Sequence, residues 1–296
     1  MVILLAVVTA REFWATRGKR QTFSGLGVAT GRWMIILSRM KSPFTFTVAL
    51  LLSLTAFAQT NTNLPVATNA PAVVAAPLFN TATNPVPRDP KWVLRHESFL
   101  RDVSNAAPVE LVFLGDSITD GWRTRGSNVW NQIYAPRHAV NLGIGGDHTE
   151  HVLWRIQQGE LDGIHPKALV LMIGTNNSGK EKGGKVRNTT PEIIEGVQVI
   201  VAAIRAKLPD TKILLLGIFP RGTLDAEQRA QVALINTVIA KLDDGKLVKY
   251  LDLGSQFLEA NGTLPKSIMP DLLHPNERGY QIWSDAMEPS LAQLLK

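Results

Sequence analysis

The chain has 296 residues, is 45% hydrophobic, contains no cysteine, and carries 31 basic against 25 acidic side chains, a formal charge of +6. Without cysteine there is no disulfide, no thiolate metal site, no cysteine nucleophile and no lipid-modified cysteine anchor. Residues 1–58 hold seven of the 31 basic residues and one of the 25 acids, leaving 24 of each in the remainder. The basic balance therefore belongs to a leader, and the body lacks the basic patch that a nucleic-acid partner requires.

Residues 40–58 read as a secretory signal peptide. Met40-Lys41 is a short positive start, Phe44 to Leu54 is apolar apart from Thr and Ser, and Ala56-Phe57-Ala58 is an A-x-A cleavage site before Gln59. The apolar run is short of the roughly 20 residues that a membrane span needs. The expectation is export, to the periplasm or outside the cell, with no stable membrane anchor after cleavage; an uncleaved anchor is the alternative. Residues 1–39 contain a second Met at Met34 and read either as a wrong gene start or as part of one long leader. Residues 59–90, rich in Ala, Pro, Asn and Thr and nearly uncharged before Arg88, have the composition of a flexible linker. No fixed-period repeat is present.

The body, residues 91–296, alternates strand and helix. Apolar runs at Val109–Leu114, Ala139–Ile144, Ala168–Ile173, Lys212–Phe219 and Val248–Leu253 have the length and composition of buried strands. Helical spacing is predicted over Thr149–Gln158, Pro191–Leu208, Asp225–Leu242 and Asn276–Leu295, with Pro191 suited to a first helical turn. Strands that are apolar throughout, separated by helices, indicate an α/β fold with a mainly parallel sheet covered on both faces. Polar function in such a sheet gathers at the carboxyl ends of the strands.

Three motifs fall at such ends: Gly115-Asp116-Ser117, then Gly143 to Asp147, then Gly174-Thr175-Asn176-Asn177. Ser117 opens a turn or helix whose free N–H groups favour a developing anion; alone, the tripeptide is first of all a plain turn with a serine cap, since it is common turn chemistry. Gly143, Gly145 and Gly146 let a substrate approach the backbone closely, or serve a tight turn. Asn176 offers an amide donor, or an Asx turn. Asp271-Leu272-Leu273-His274 precedes Pro275 and the last helix. Its three-residue spacing lets the carboxylate orient the imidazole, which then takes a serine proton; taken alone it is a surface turn before a proline. Two further patterns are weaker. Gly174 to Lys180 follows a phosphate-binding loop until Glu181 stands where Ser or Thr must hold magnesium. His148 and His151, with Glu150 between them, lack the i, i+4 spacing of a zinc helix and read as ordinary helix residues near the rim.

With its four blocks in this order the chain resembles the SGNH (GDSL-type) hydrolases. Leu142 to Asp147, His151 to Arg155, Gly174 to Asn177 and Pro220-Arg221-Gly222 are most similar to the catalytic subunits of the intracellular platelet-activating-factor acetylhydrolase subgroup. The likeness spans roughly residues 94–296. It implies a flavodoxin-like three-layer α/β/α sandwich on a five-stranded sheet, with Ser117 as nucleophile, His274 as base and Asp271 as orienting acid. The Ser117 N–H, the Gly146 N–H and the Asn176 side chain would form the oxyanion hole, with no cofactor and no metal. Two segments depart from the family: Asp120 to Gly126, with Trp122 and two arginines, and the longer basic stretch Ser178–Asn188. Both are expected on the catalytic rim.

The function expected is an exported serine esterase acting on short-acyl, chiefly acetyl, esters of a small molecule or glycan. The near alternative is a phospholipid or lysophospholipid acylhydrolase. A non-catalytic carbohydrate-binding module is the alternative of another class. The resembled enzymes form homodimers, and the surface residues here leave that open.

Overall fold

A computed structural model describes residues 79–296 except 106–107, 182 and 224. The expected signal peptide and cleavage site, and most of the expected linker, lie outside the described residues.

Five strands form the sheet: β1 Leu111–Gly115, β2 Ala139–Gly143, β3 Ala168–Met172, β4 Lys212–Leu216 and β5 Val248–Leu251. All pairings are parallel, in the order β2-β1-β3-β4-β5. Parallel strands must bury both faces, and the residues of β1 and β3 are buried without exception. Side chains alternate between two cores. Val112, Leu114, Leu169, Leu171, Ile213 and Leu215 face one. Leu111, Phe113, Val170, Met172, Leu214 and Leu216 face the other.

The helices are α1 Pro90–Asn105, α2 Ser117–Asp120, α3 Ser127–Val129, α4 Thr149–Gln157, α5 Thr190–Lys207, α6 Glu227–Ile239 and α7 Glu277–Leu294. The first core takes Trp92 and Phe99 of α1 with the buried faces of α4, α5 and α6; the second takes Tyr280, Trp283 and Met287 of α7. Together they make the three-layer sandwich, in the strand order of flavodoxin-like folds. The predicted helix starts hold to within one or two residues, and α5 and α7 have explicit caps. Thr189 and Glu192 form a reciprocal capping box around Pro191, and the Asn276 side chain accepts from the Gly279 N–H at 3.0 Å.

Three expectations need correction. The linker was expected to run to residue 90, but residues 79–89 are a strap packed on the body. A 3-10 turn at Thr81–Thr83 buries Ala82 completely, and the Ala82 carbonyl accepts from Thr149 Oγ1 at 2.8 Å. Nor does α1 have a counterpart among the predicted helices; the Asp89 carboxylate caps it by accepting from the Lys91 and Trp92 N–H groups. Trp122, expected on the rim, is fully buried against Tyr280 and Trp283, so a large aromatic in a polar segment fills the core behind the site.

Candidate active site

β1 ends at Gly115, and α2 begins two residues later. Its cap is Asp116, whose Oδ1 accepts from the Ile118 N–H at 2.9 Å, so Ser117 is the first helical residue and not the cap. A Cβ at Gly115 would lie 2.3 Å from Thr119 Oγ1 and 2.4 Å from the Met172 carbonyl, which explains glycine at this turn. The half-buried Ser117 hydroxyl is thereby aimed off the end of the sheet.

The partner arrives from the turn before α7. Leu272 adopts the left-handed conformation (φ 58°), a strained choice for a residue with a branched side chain. The strain is held by the Gly222 N–H, which donates to the Leu272 carbonyl at 2.8 Å. This kink folds Asp271 back on His274. Asp271 Oδ1 accepts from the His274 backbone N–H at 2.7 Å, and Oδ2 meets His274 Nδ1 at 2.6 Å. Burial pushes the Asp271 carboxyl up, but the backbone and side-chain hydrogen bonds from His274 outweigh it and hold the acid at about 2. An ionised carboxylate only accepts, so Nδ1 carries the imidazole proton and Nε2 presents its lone pair. Nε2 lies 2.9 Å from Ser117 Oγ. The hydroxyl and imidazole therefore form a proton path, and the ionised carboxylate orients and stabilises the imidazole without taking the proton.

The glycine loop after β2 lies against the serine: a Cβ at Gly145 would be 3.8 Å from Ser117 Cβ. Gly146 has φ +81°, a conformation natural to glycine, and its N–H has no acceptor among the described residues. The Ser117 N–H is likewise without one. Asn176 Nδ2 donates to the Asp147 carbonyl at 2.9 Å, which ties the third motif to the second and leaves the other amide hydrogen unspent. All five residues expected from sequence are thus brought to one rim, where the chain leaves the adjacent strands β1 and β3 toward β2 on one side and β4 on the other.

Several residues that hold the site in place were given no role from sequence. Asp147 and Arg155 are both fully buried and paired at 2.9 Å. Arg155 also pairs with buried Glu160, donates to the Leu142 carbonyl at 2.9 Å, and reaches the Gly115 carbonyl at 3.3 Å. The ends of β1 and β2 and the glycine loop therefore hang on one guanidinium. Trp92 Nε1 donates to Asp147 Oδ1 at 2.6 Å. Arg221 donates to the Thr175 carbonyl at 2.6 Å, and Arg187 donates to the Asn176 carbonyl. The tryptophan gave a signal in its spacing from Phe99; Arg155 and Arg221 lie in motifs that carry the resemblance, but their roles depend on which carbonyls they meet.

His148, Glu150 and His151 present ligand atoms within 4.8 Å of one another. Each is already engaged: His148 Nδ1 faces Glu150 Oε1 at 2.8 Å, and the His148 N–H donates to His151 Nδ1 at 2.9 Å. Burial, aided by the His148 charge, lowers His151 to about 4, which keeps it neutral as its acceptor role demands. These residues cap α4. In the loop that follows β3, Lys180 pairs with Glu227 at 2.6 Å, away from any phosphate cradle. A cavity of about 490 Å³ lies beneath α6, lined by Ile218, Val232, Tyr250 and Leu258, and contains no residue of the proton path.

The profile of the GDSL-like lipase/acylhydrolase family matches residues 113–282. The platelet-activating factor acetylhydrolase IB subunit alpha2 of Rattus norvegicus is 34% identical over 217 residues, 73% of this chain and 90% of that protein. The corresponding subunit alpha1 of Homo sapiens is 33% identical over 222 residues, 73% and 91% respectively. The crystal structure of an acetyl xylan esterase superposes with a TM-score of 0.53 at 21% identity, covering 62% of this chain and 100% of that one, a likeness of fold.

Proposed function

We propose, since this chain belongs to the GDSL-like lipase/acylhydrolase family and is a carboxylic ester hydrolase, that it removes short acyl groups, acetyl first, by attack of Ser117. The observation that supports this most is the unbroken chain from Ser117 Oγ through His274 to Asp271, at 2.9 and 2.6 Å. Ser117 Oγ forms a bond to the acyl carbon as its proton moves to His274 Nε2. The oxyanion is received by the Ser117 and Gly146 N–H groups and the Asn176 amide. His274 returns the proton to the departing alcohol, and water, activated by the same imidazole, releases the acid. The acetyl preference is supported by the two relatives above, both acetylhydrolases by name.

For the alcohol, we propose an acetylated carbohydrate met outside the cytoplasm, a reading supported by the signal-like residues 40–58. The sequence identity to the platelet-activating factor acetylhydrolases favours a second reading, an acetylated lipid. Hydrolysis of p-nitrophenyl acetate, butyrate and octanoate beside Ser117→Ala tests the acyl part. Ser117-dependent turnover falling with chain length is expected, and a preference for octanoate contradicts it. Acetate release from acetylated xylan against an acetylated ether phospholipid then separates the two alcohols.

A further inference from the structure

We propose that Arg88, from the strap that precedes α1, is a positioning residue of the oxyanion site, locking the Gly145–Gly146 peptide so that its N–H faces the reacting oxygen. This rests on the reading of Ser117 as nucleophile.

The Gly145 carbonyl and the Gly146 N–H are opposite ends of one peptide unit. Arg88 Nη1 donates to that carbonyl at 2.7 Å and reaches Asp147 Oδ1 at 3.4 Å. The guanidinium also lies flat against the loop: a Cβ at Gly146 would be 3.1 Å from Nη1 and 3.2 Å from Nη2. A peptide flanked by two glycines has little steric resistance to flipping, and a flip would turn the N–H away from Ser117. The neighbouring turn bond, from the Asp147 N–H to the Ile144 carbonyl at 3.2 Å, engages neither end of this peptide. Arg88 is therefore its anchor. A charge-assisted bond at the oxygen end also polarises the peptide and makes its N–H a better donor. Arg221 and Arg187 treat the third motif in the same way, donating to the carbonyls of Thr175 and Asn176. Those two belong to the folded rim, whereas Arg88 is carried by the strap with its side chain 30% exposed, and when it is removed the buried Asp147 keeps its ion pair with Arg155 and its hydrogen bond from Trp92.

The test is Arg88→Ala and Arg88→Lys in the full chain, with Ser117→Ala as reference, assayed on p-nitrophenyl acetate and for inhibition by methaneboronic acid. The boronate forms a tetrahedral adduct on the serine with an oxygen in the oxyanion position. Arg88→Ala is expected to lower kcat about 10- to 100-fold, less than full loss of a donor, with KM unchanged, a modestly lower melting temperature, and boronate affinity falling by a similar factor. Arg88→Lys, which still reaches the carbonyl with a charged donor, is expected to recover most of the loss. A kcat near wild type in Arg88→Ala, while Ser117→Ala is inactive, overturns this inference and leaves the nucleophile reading standing. So does a lower kcat with unchanged boronate affinity. Wild-type turnover that persists in Ser117→Ala overturns the nucleophile reading and this inference with it.

Discussion

Two acids of the site stand on opposite sides of the ordinary carboxylate range. Burial carries Asp116 up to about 7, against the pull of the Ile118 N–H and with the nearby Asp147 charge adding to it. Its folded form thus keeps a proton that the unfolded chain releases near pH 4. The stability this gives is complete below about pH 4 and is lost as pH rises through 7. Asp271, held at about 2, has the opposite sign: its contribution is present above about pH 4 and is lost as pH falls toward 2. Asp116→Asn keeps the Oδ1 cap on Ile118 but removes the titration. Thermal melts from pH 5 to 9 should show the variant gaining on wild type as pH rises, and parallel profiles would count against a buried, proton-holding Asp116. On the proposed mechanism Asn176→Ala removes one oxyanion donor and should cut kcat by about 10²–10³ with the fold intact, as measured by turnover and circular dichroism. The motifs were legible at this scale because each is contiguous and chemically explicit. The roles of Arg88, Arg155 and Arg221 were not: the resemblance marks Arg155 and Arg221 as shared positions, but only the fold shows which carbonyl each arginine meets.

At the scale of elements, all five strands were legible because parallel strands buried on both faces leave uninterrupted apolar runs. The fourth was read too long for a local reason. Ile218 is buried like a strand residue, yet its N–H and carbonyl bond to the Asn236 side chain, both at 2.9 Å, in place of a neighbouring strand. Helix α1 was missed although its stripe of Trp92, His96, Phe99 and Val103 is helical, because charged residues dominate the other face. The glycine loop depends on α4 through Arg155. Arg155→Leu strands the buried carboxylates of Asp147 and Glu160 and should cost about 3–5 kcal/mol of unfolding free energy in urea melts. A loss below about 1 kcal/mol would mean the hub does not hold the loop.

Over the whole molecule, the proposed function rests on a sheet whose strand order reverses direction beside β1, so that residues 117, 146, 176, 271 and 274, scattered over the chain, meet at one rim. The fold class and this rim were readable from the alternation of elements. The N-terminal limit of the domain was not, because the strap is held by Asn80, Ala82 and Arg88, single residues in an otherwise linker-like composition. A chain starting at residue 91 should melt at a lower temperature and turn over more slowly than one starting at residue 79; equal behaviour of the two would make the strap dispensable.

The proton path through Ser117 is tested most directly by covalent labelling. A fluorophosphonate should attach once per chain, with peptide mass spectrometry placing the adduct on Ser117. Labelling should be lost in Ser117→Ala and greatly slowed in His274→Ala. Adducts on another residue, or unlabelled protein that still hydrolyses p-nitrophenyl acetate, would contradict Ser117 as the nucleophile.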